Sequence, residues 1–372
     1  MAVMLRRLIK LVSFGLCFLP LKARTETTIA LVAPKAGSYQ QQGLELAKGV
    51  QQGIDEINND GGLLGEKITL LTIDDQCNDS IAVSTAQMLT ILKEYNIKLI
   101  IGPYCANSFD KVADIYAKAQ LFQIIPITVN YTQAKTVKKG LVKMLGYTNQ
   151  QAKDFFDYYN ATMAGSQIAL VSNASDEEST EEVRAVSEEF RKHGKSIVLK
   201  SYTYDMTAKD YNKLAENILA DGNAAVFILG TPKNIRKMAY ALKDKDENIT
   251  LFVNKYTAGE EFFQYMDGLA EGIYFMALRG KDDNPEFAET LVNLRLKGFD
   301  TEGLSLYGYS AVNLWKNLVT AAKSFNYNKV STQANKGVKT EFGNQMFHNG
   351  APDTSESYAI FRYENGELKK VY

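Results

Sequence analysis

The sequence has 372 residues, 45% of them hydrophobic and 23% charged, with a formal net charge of −1. That length exceeds one ordinary core and predicts two domains. A near-neutral charge argues against nucleic acid or a membrane surface as a partner, and nothing in the composition reads as low-complexity or disordered.

The chain opens with Arg6, Arg7 and Lys10 ahead of a short apolar run, Leu11 to Leu19. With Ala23 at the end of "LKA", this reads as a secretory signal peptide over residues 1–23. The apolar run is too short to cross a bilayer. Leu16 before Cys17 is too large for a lipidation box. Export places Cys77 and Cys105 in an oxidising compartment, where an even pair is expected to form one disulfide.

"TTIALVAP", from Thr27, is β-branched and apolar and predicts a first strand stopped by Pro34. Leu46, Val50, Ile54 and Ile57 then recur at helical spacing, and "NNDGG" ends that helix. "KITLLTIDD" predicts a second strand. Asp79 or Ser80 is the expected cap of a helix running to about Tyr95. "KLIIGP" is the third strand, "SFDKVADIYAKA" a third helix, and Phe122 to Thr128 the fourth strand.

The alternation restarts after Tyr147. "NQQAKDFFDYYNATM" is helical, "QIALVSN" a strand, and "STEEVRAVSEEFRKHG" an amphipathic helix. "IVLKSYTY", "AAVFILG" and "ITLFVNKY" are strands separated by the helical "AKDYNKLAENILADG" and "NIRKMAYALKD". Beyond "GLAEGIYFMA" the chain is mostly helical, over Pro285 to Lys297 and Ser310 to Phe325, and it closes in a hairpin turning at Asn365-Gly366. Strands apolar on both faces, alternating with helices, predict doubly wound parallel sheets.

Catalytic signatures are missing from the sequence. Of the two histidines, His193 falls at a helix end, where a cation suits the dipole, and His348 is expected in a surface loop. There is no G-x-S-x-G, P-loop, H-E-x-x-H or G-x-G-x-x-G motif. Two cysteines without clustered histidines make a poor zinc site. Asp74-Asp75 ends a strand and is expected to cap backbone groups, and "DEESTEE", Asp176 to Glu182, complements a helix start. A two-lobed exported α/β chain without catalytic machinery points to ligand capture in a cleft.

Gly49 to Cys77 resembles the first helix and second strand of periplasmic binding proteins of the Leu/Ile/Val-binding type. The matching positions are Gly49, Ile57-Asn58, Gly61-Gly62, Gly65, Asp74-Asp75 and Cys77, followed by "IIGPYC", "IIPIT" and Ala270 to Gly272. The resemblance implies an α/β fold of two doubly wound parallel-sheet lobes with a ligand cleft between them. It implies three crossings, near residues 148, 278 and 351. Lobe 1 is then 24–148 plus 279–350, and lobe 2 is 149–278 plus 351–372. It also implies that Cys77 pairs with Cys105.

The resemblance further implies a binding set of Tyr39, Gln42, Ala106, Asn107, Ser108, Thr128, Val129, Asn130, Thr231 and Tyr256. Several depart from the family pattern. Ala106 stands where a serine meets the ligand's carboxylate, Gln42 replaces a tyrosine, Thr231 replaces an aromatic, and Tyr256 stands where an acid meets an ammonium. An ammonium without a counter-charge is costly to bury, so these changes fit a neutral or anionic ligand better than a zwitterion. The expected function is a substrate-binding protein of an ABC importer. Its partners would be a small polar molecule and a membrane permease, with no cofactor, no metal and a monomeric state. The alternative is a ligand-sensing protein of the same fold.

Overall fold

A computed structural model describes residues 26–37, 39–126, 139–144, 148–193, 197–205, 210–254, 260–278, 285–299, 301, 303–340, 343–345, 347–348, 350–352 and 358–372. The expected signal peptide lies outside the described residues. Two sheets organise the chain.

The first is fully parallel. It contains β1 (Glu26–Val32), β2 (Lys67–Ile73), β3 (Ile97–Ile101), β4 (Phe122–Ile125) and β5 (Leu141–Lys143), in the order β2-β1-β3-β4-β5. The connecting helices are α1 (Gln40–Asn59), α2 (Asp79–Ile91) and α3 (Ala106–Lys118). Alternation along β1 feeds two cores, as the two-residue period of a strand requires. Ile29 and Leu31 face one with α1, while Ala30 and Val32 face the other with Ala82 and Ala86 of α2 and Val112 of α3.

The second sheet is built from β6 (Ile168–Asn173), β7 (Leu199–Tyr204), β8 (Ala225–Ile228), β9 (Thr250–Val253), β10 (Tyr274–Leu278), β15 (Tyr358–Glu364) and β16 (Glu367–Lys370). Its order is β16-β15-β10-β9-β8-β6-β7. The first five of these strands run parallel, and the final hairpin adds antiparallel to β10. Around it pack α4 (Thr148–Thr162), α5 (Glu177–His193), α6 (Tyr211–Ala220), α7 (Pro232–Lys243) and α8 (Glu260–Met266). Here too alternate residues divide: Val226 and Ile228 enter one core, Ala225 and Phe227 the other.

After β10 come α9 (Pro285–Leu296), α10 (Gly303–Ala322) and α11 (Tyr327–Ala334). Leu304, Val312, Trp315 and Val330 of this stretch sit in the core of the first sheet, beside Leu46, Val50 and Ile54 of α1. Contact between α1 and α10 is close because glycines line it. A Cβ on Gly49 would lie 1.8 Å from the Ser305 carbonyl oxygen, and one on Gly308 would lie 2.3 Å from that of Leu46. Tyr309 Oη and Lys297 Nζ both donate to Glu56 of α1, at 2.6 and 2.5 Å. Burial alone raises the Glu56 pKa, but these two partners outweigh it and hold the carboxyl below its ordinary value.

The structure departs from expectation at several element ends. The cap of α2 is Asn78, not Asp79 or Ser80; its side chain accepts from the Ser80 and Ile81 amides at 3.0 and 3.1 Å. That helix stops at Ile91, and a separate 3-10 turn, Lys93–Tyr95, follows because Leu92 leaves helical geometry at φ −78°, ψ 63°. His348 belongs to a two-residue strand, β13 (Phe347–His348), which pairs with β14 (Ala351–Pro352) rather than forming a loop. α10 begins seven residues before the expected Ser310. A further pair, β11 (Val338–Thr340) and β12 (Gly343–Gln345), together with β5, α8 and α11, lacks a readable period in the sequence.

Candidate ligand-binding site

In a parallel sheet with helical crossovers, every strand ends on the same edge, and each following helix starts there with unpaired amides. In the first sheet that edge carries the β3–α3 turn. Cys105 is the N-cap of α3 in extended geometry, and its disulfide to Cys77 brings the two Cα atoms to 5.4 Å. The turn is thereby fixed to the end of β2. Asp74 Oδ1 accepts from the Gln76 amide at 2.8 Å and Asp75 Oδ1 from the Cys77 amide at 3.2 Å, so both aspartates cap the backbone as expected. Asp75 is fully buried, and its second oxygen has no partner among the described residues. Desolvation, reinforced by Asp74, raises its pKa against the lowering effect of the Cys77 amide.

Ala106 and Asn107 are the first two residues of α3. Ser108 is fully buried, and its hydroxyl donates to Asp79 Oδ1 at 3.1 Å. Asp79 also pairs with Lys111. Ser108 thus bolts α3 to α2, a structural use of a residue the sequence offers as a ligand contact. Tyr39 is the N-cap of α1 and lies 5.9 Å, ring to ring, from Tyr104 of the β3–α3 turn. Gln42, in the first turn of α1, is 3% exposed, and its amide oxygen has no partner among the described residues. Tyr39, Gln42 and the start of α3 therefore gather at one edge.

At the second sheet's edge, Thr231 is the N-cap of α7, directly after β8, and is 7% exposed. Its carbonyl accepts from the Asn234 and Ile235 amides at 3.0 Å each, but its hydroxyl caps nothing. Asn173 at the end of β6 turns its side-chain oxygen to the Ser175 amide at 3.0 Å. Thr128, Val129, Asn130 and Tyr256 lie outside the described residues.

Helix starts at these edges fall into two groups. α2 and α6 follow the outermost strands and are capped by Asn78 and Asp210, while α5 is tied at its start by Asp176 to Ser179. The starts of α1, α3 and α7 follow inner strands, have no side-chain cap and carry no acid in the first turn. Such ends present the positive end of the helix dipole, although at α7 Pro232 has no N–H and the Asn234 and Ile235 amides already donate to the Thr231 carbonyl.

Reading the sequence alone misses Lys143 and Asn254. Lys143 ends β5, is fully buried, and its ammonium lies 5.4 Å from the centre of the Phe109 ring. Desolvation pushes its pKa down to about 8, opposed by Asp110. Asn254 follows β9 and is also buried. The available signal was the same for both, a polar residue closing an apolar run. Among the described residues no group of acids, histidines and cysteines could hold a metal, and no helix is long and apolar enough to cross a membrane.

A family profile described as periplasmic binding protein matches residues 26–366. The chain belongs to this family. A Leu/Ile/Val-binding protein of Rhizobium johnstonii is 24% identical over 363 residues, covering 95% of this chain and 96% of its own. The branched-chain amino acid transporter substrate-binding protein of Streptococcus pneumoniae, solved with isoleucine, superposes with a TM-score of 0.80 at 18% identity, covering 93% and 99% of the two chains. A solute-binding protein from R. palustris, solved with benzoate, gives 0.78 at 14% identity, covering 92% and 95%. The expected two-lobed fold is thus the observed one.

Proposed function

We propose that this protein captures a small polar molecule, an amino acid, amide or organic acid, between its lobes and delivers it to the permease of an ABC importer, without catalysis. One observation carries the reading. At the first sheet's ligand edge the nearly buried Gln42 has an amide oxygen that nothing in the described chain meets, and at the second sheet's edge the side chain of the nearly buried Thr231 caps no helix amide. Leaving the Gln42 oxygen unsatisfied costs about 1–3 kcal/mol, and a ligand that donates to it removes that cost. The uncapped starts of α1 and α3 add the positive end of a helix dipole for a carboxylate or carbonyl on the ligand. Isoleucine and benzoate in structures of the same fold bracket the expected size.

The binding set under this reading is Tyr39, Gln42, Ala106, Asn107, Ser108, Thr128, Val129, Asn130, Thr231 and Tyr256. Its lobes divide at 148, 278 and 351, residues 1–23 direct export, and the mature protein works as a monomer. The test is mass spectrometry of small molecules released from natively purified protein, followed by thermal-shift titration of amino acids, amides and organic acids. A protein that co-purifies with nothing and is stabilised by none of them refutes the capture reading.

A further inference from the structure

Tyr204 is the last residue of β7, at the outer margin of its sheet, yet its side chain reaches the loop after β8, two strands away in the order β8-β6-β7. Its hydroxyl donates to the Leu229 carbonyl at 2.8 Å, and both groups are buried. Its own carbonyl accepts from the Ala174 amide at 2.8 Å, in the loop after β6. One residue therefore ties two of the loops that form the second lobe's ligand edge. Burial raises the phenol's pKa, so it stays a neutral donor at any physiological pH.

The next residue in the loop shows how closely the parts fit. Gly230 has φ +148°, and a Cβ there would lie 2.0 Å from Tyr204 Oη. The glycine leaves room for the hydroxyl, and the hydroxyl fixes the carbonyl immediately before Gly230 and Thr231. A second tyrosine completes the support. Tyr211, the first residue of α6, lies 5.9 Å from Tyr204 and donates to Asn234 Oδ1 at 3.0 Å, within the first turn of α7. Thr231 and the α7 start are thus braced from below by two phenols while the Thr231 hydroxyl caps nothing.

We propose that Tyr204 is a positioning residue for ligand capture, and that its hydroxyl holds the β8–α7 loop, with Thr231, in the ligand-ready arrangement. This rests on the proposed capture function. Tyr204 does not itself meet the ligand. It acts through the Leu229 carbonyl, and its loss lets the loop sample arrangements in which Thr231 is displaced. A ligand bound to such a loop escapes sooner, whereas encounter with the open cleft is unaffected.

The test compares wild type with Tyr204→Phe, which keeps the ring and removes the hydroxyl. Hydrogen exchange should be about tenfold faster at the Leu229, Asn234 and Ile235 amides, with peptides from β3 and β9 unchanged. The binding arm uses whichever of L-leucine, L-isoleucine or benzoate stabilises the wild type most. The variant should release it about tenfold faster, with an association rate within twofold of wild type. Unchanged exchange in the 229–235 segment overturns the proposal, as does faster exchange with an unchanged release rate. A uniform rise in exchange across the second lobe also overturns it, because the hydroxyl would then serve stability alone. If none of the three probes binds wild type, release is measured on the molecule that co-purifies with it. Absence of any bound molecule refutes the capture reading and, with it, this role for Tyr204, while the exchange arm still decides whether the brace exists.

Discussion

Substituting Gly49 by alanine sets two known effects against each other. Gly49 lies inside α1, where alanine is favoured over glycine by about 1 kcal/mol through helix propensity alone. The new methyl, however, would lie 1.8 Å from the Ser305 carbonyl oxygen and 2.9 Å from the Tyr309 amide nitrogen, both backbone atoms of α10. Backbone cannot rotate away, so the two helices must part by roughly 1.5 Å to restore ordinary contact. A gap of about 0.5–1 Å already forfeits a quarter to a half of each contact's dispersion energy, and the loss spreads over Leu46, Val50, Ile54, Leu304 and Val312. Overpacking of this kind costs about 1–3 kcal/mol, and with two backbone atoms in the way the upper end applies, so the net after the propensity gain is a destabilisation of about 2 kcal/mol.

Trp315, the sole tryptophan in the sequence, is buried on α10 and reports on this interface. Urea denaturation followed by its fluorescence should show the midpoint falling in Gly49→Ala. Gly53→Ala should fall less, because its methyl meets the Val312 side chain at 2.8 Å rather than backbone. A Gly49→Ala protein as stable as wild type, or more so, refutes the close approach of α1 and α10.

Other expectations follow from the site. Asp75 has a raised folded-state pKa, so its protonated form is the stabilising one. That contribution is complete below the ordinary value near 3.8 and is lost as pH rises through the raised value. Asp75→Asn should therefore gain stability over wild type at pH 7 and match it near pH 3, and equal differences at both would contradict the burial argument. Replacing Cys77 and Cys105 by serine frees a loop with a sequence separation of 28 residues. Loop-closure entropy puts the loss at about 3–4 kcal/mol by chemical denaturation, with some ligand binding retained. Asn107→Ala should do the reverse, keeping its denaturation midpoint while weakening ligand binding in a calorimetric titration. Thr231→Val should likewise unfold normally and bind at least several-fold more weakly, an outcome that wild-type affinity would disprove.

Much of the architecture is legible in the sequence because burial on both faces writes itself into the strands. "IALV", "LII" and "AAVFIL" are apolar without alternation, and each lies in a parallel strand bounded by turn residues. Elements that escaped reading are short or set by distant partners. β5 is three residues long and exists through pairing with β4, and α8 has seven residues. The site divides similarly. Gln42 and Thr231 enter through the family resemblance alone, and the structure puts both at helix starts beside strand ends. What Ser108 bonds to was not legible, since Asp79 reaches it from a different helix. Nor was Tyr204, whose partner lies 25 residues onward.

The path of the chain between the sheets has a consequence for how the molecule is made. β10 belongs to the second sheet, α10 then returns to the core of the first, and β15 and β16 return once more to the second. Until residues 303–319 have emerged from the ribosome, the face of α1 bearing Leu46, Val50 and Ile54 lacks its cover. Until residues 358–370 follow, β10 has a bare edge. Neither half is a finished body during synthesis. Contacts this far apart in sequence also close slowly. Completion of both cores therefore waits on residues 303–319 and 358–370.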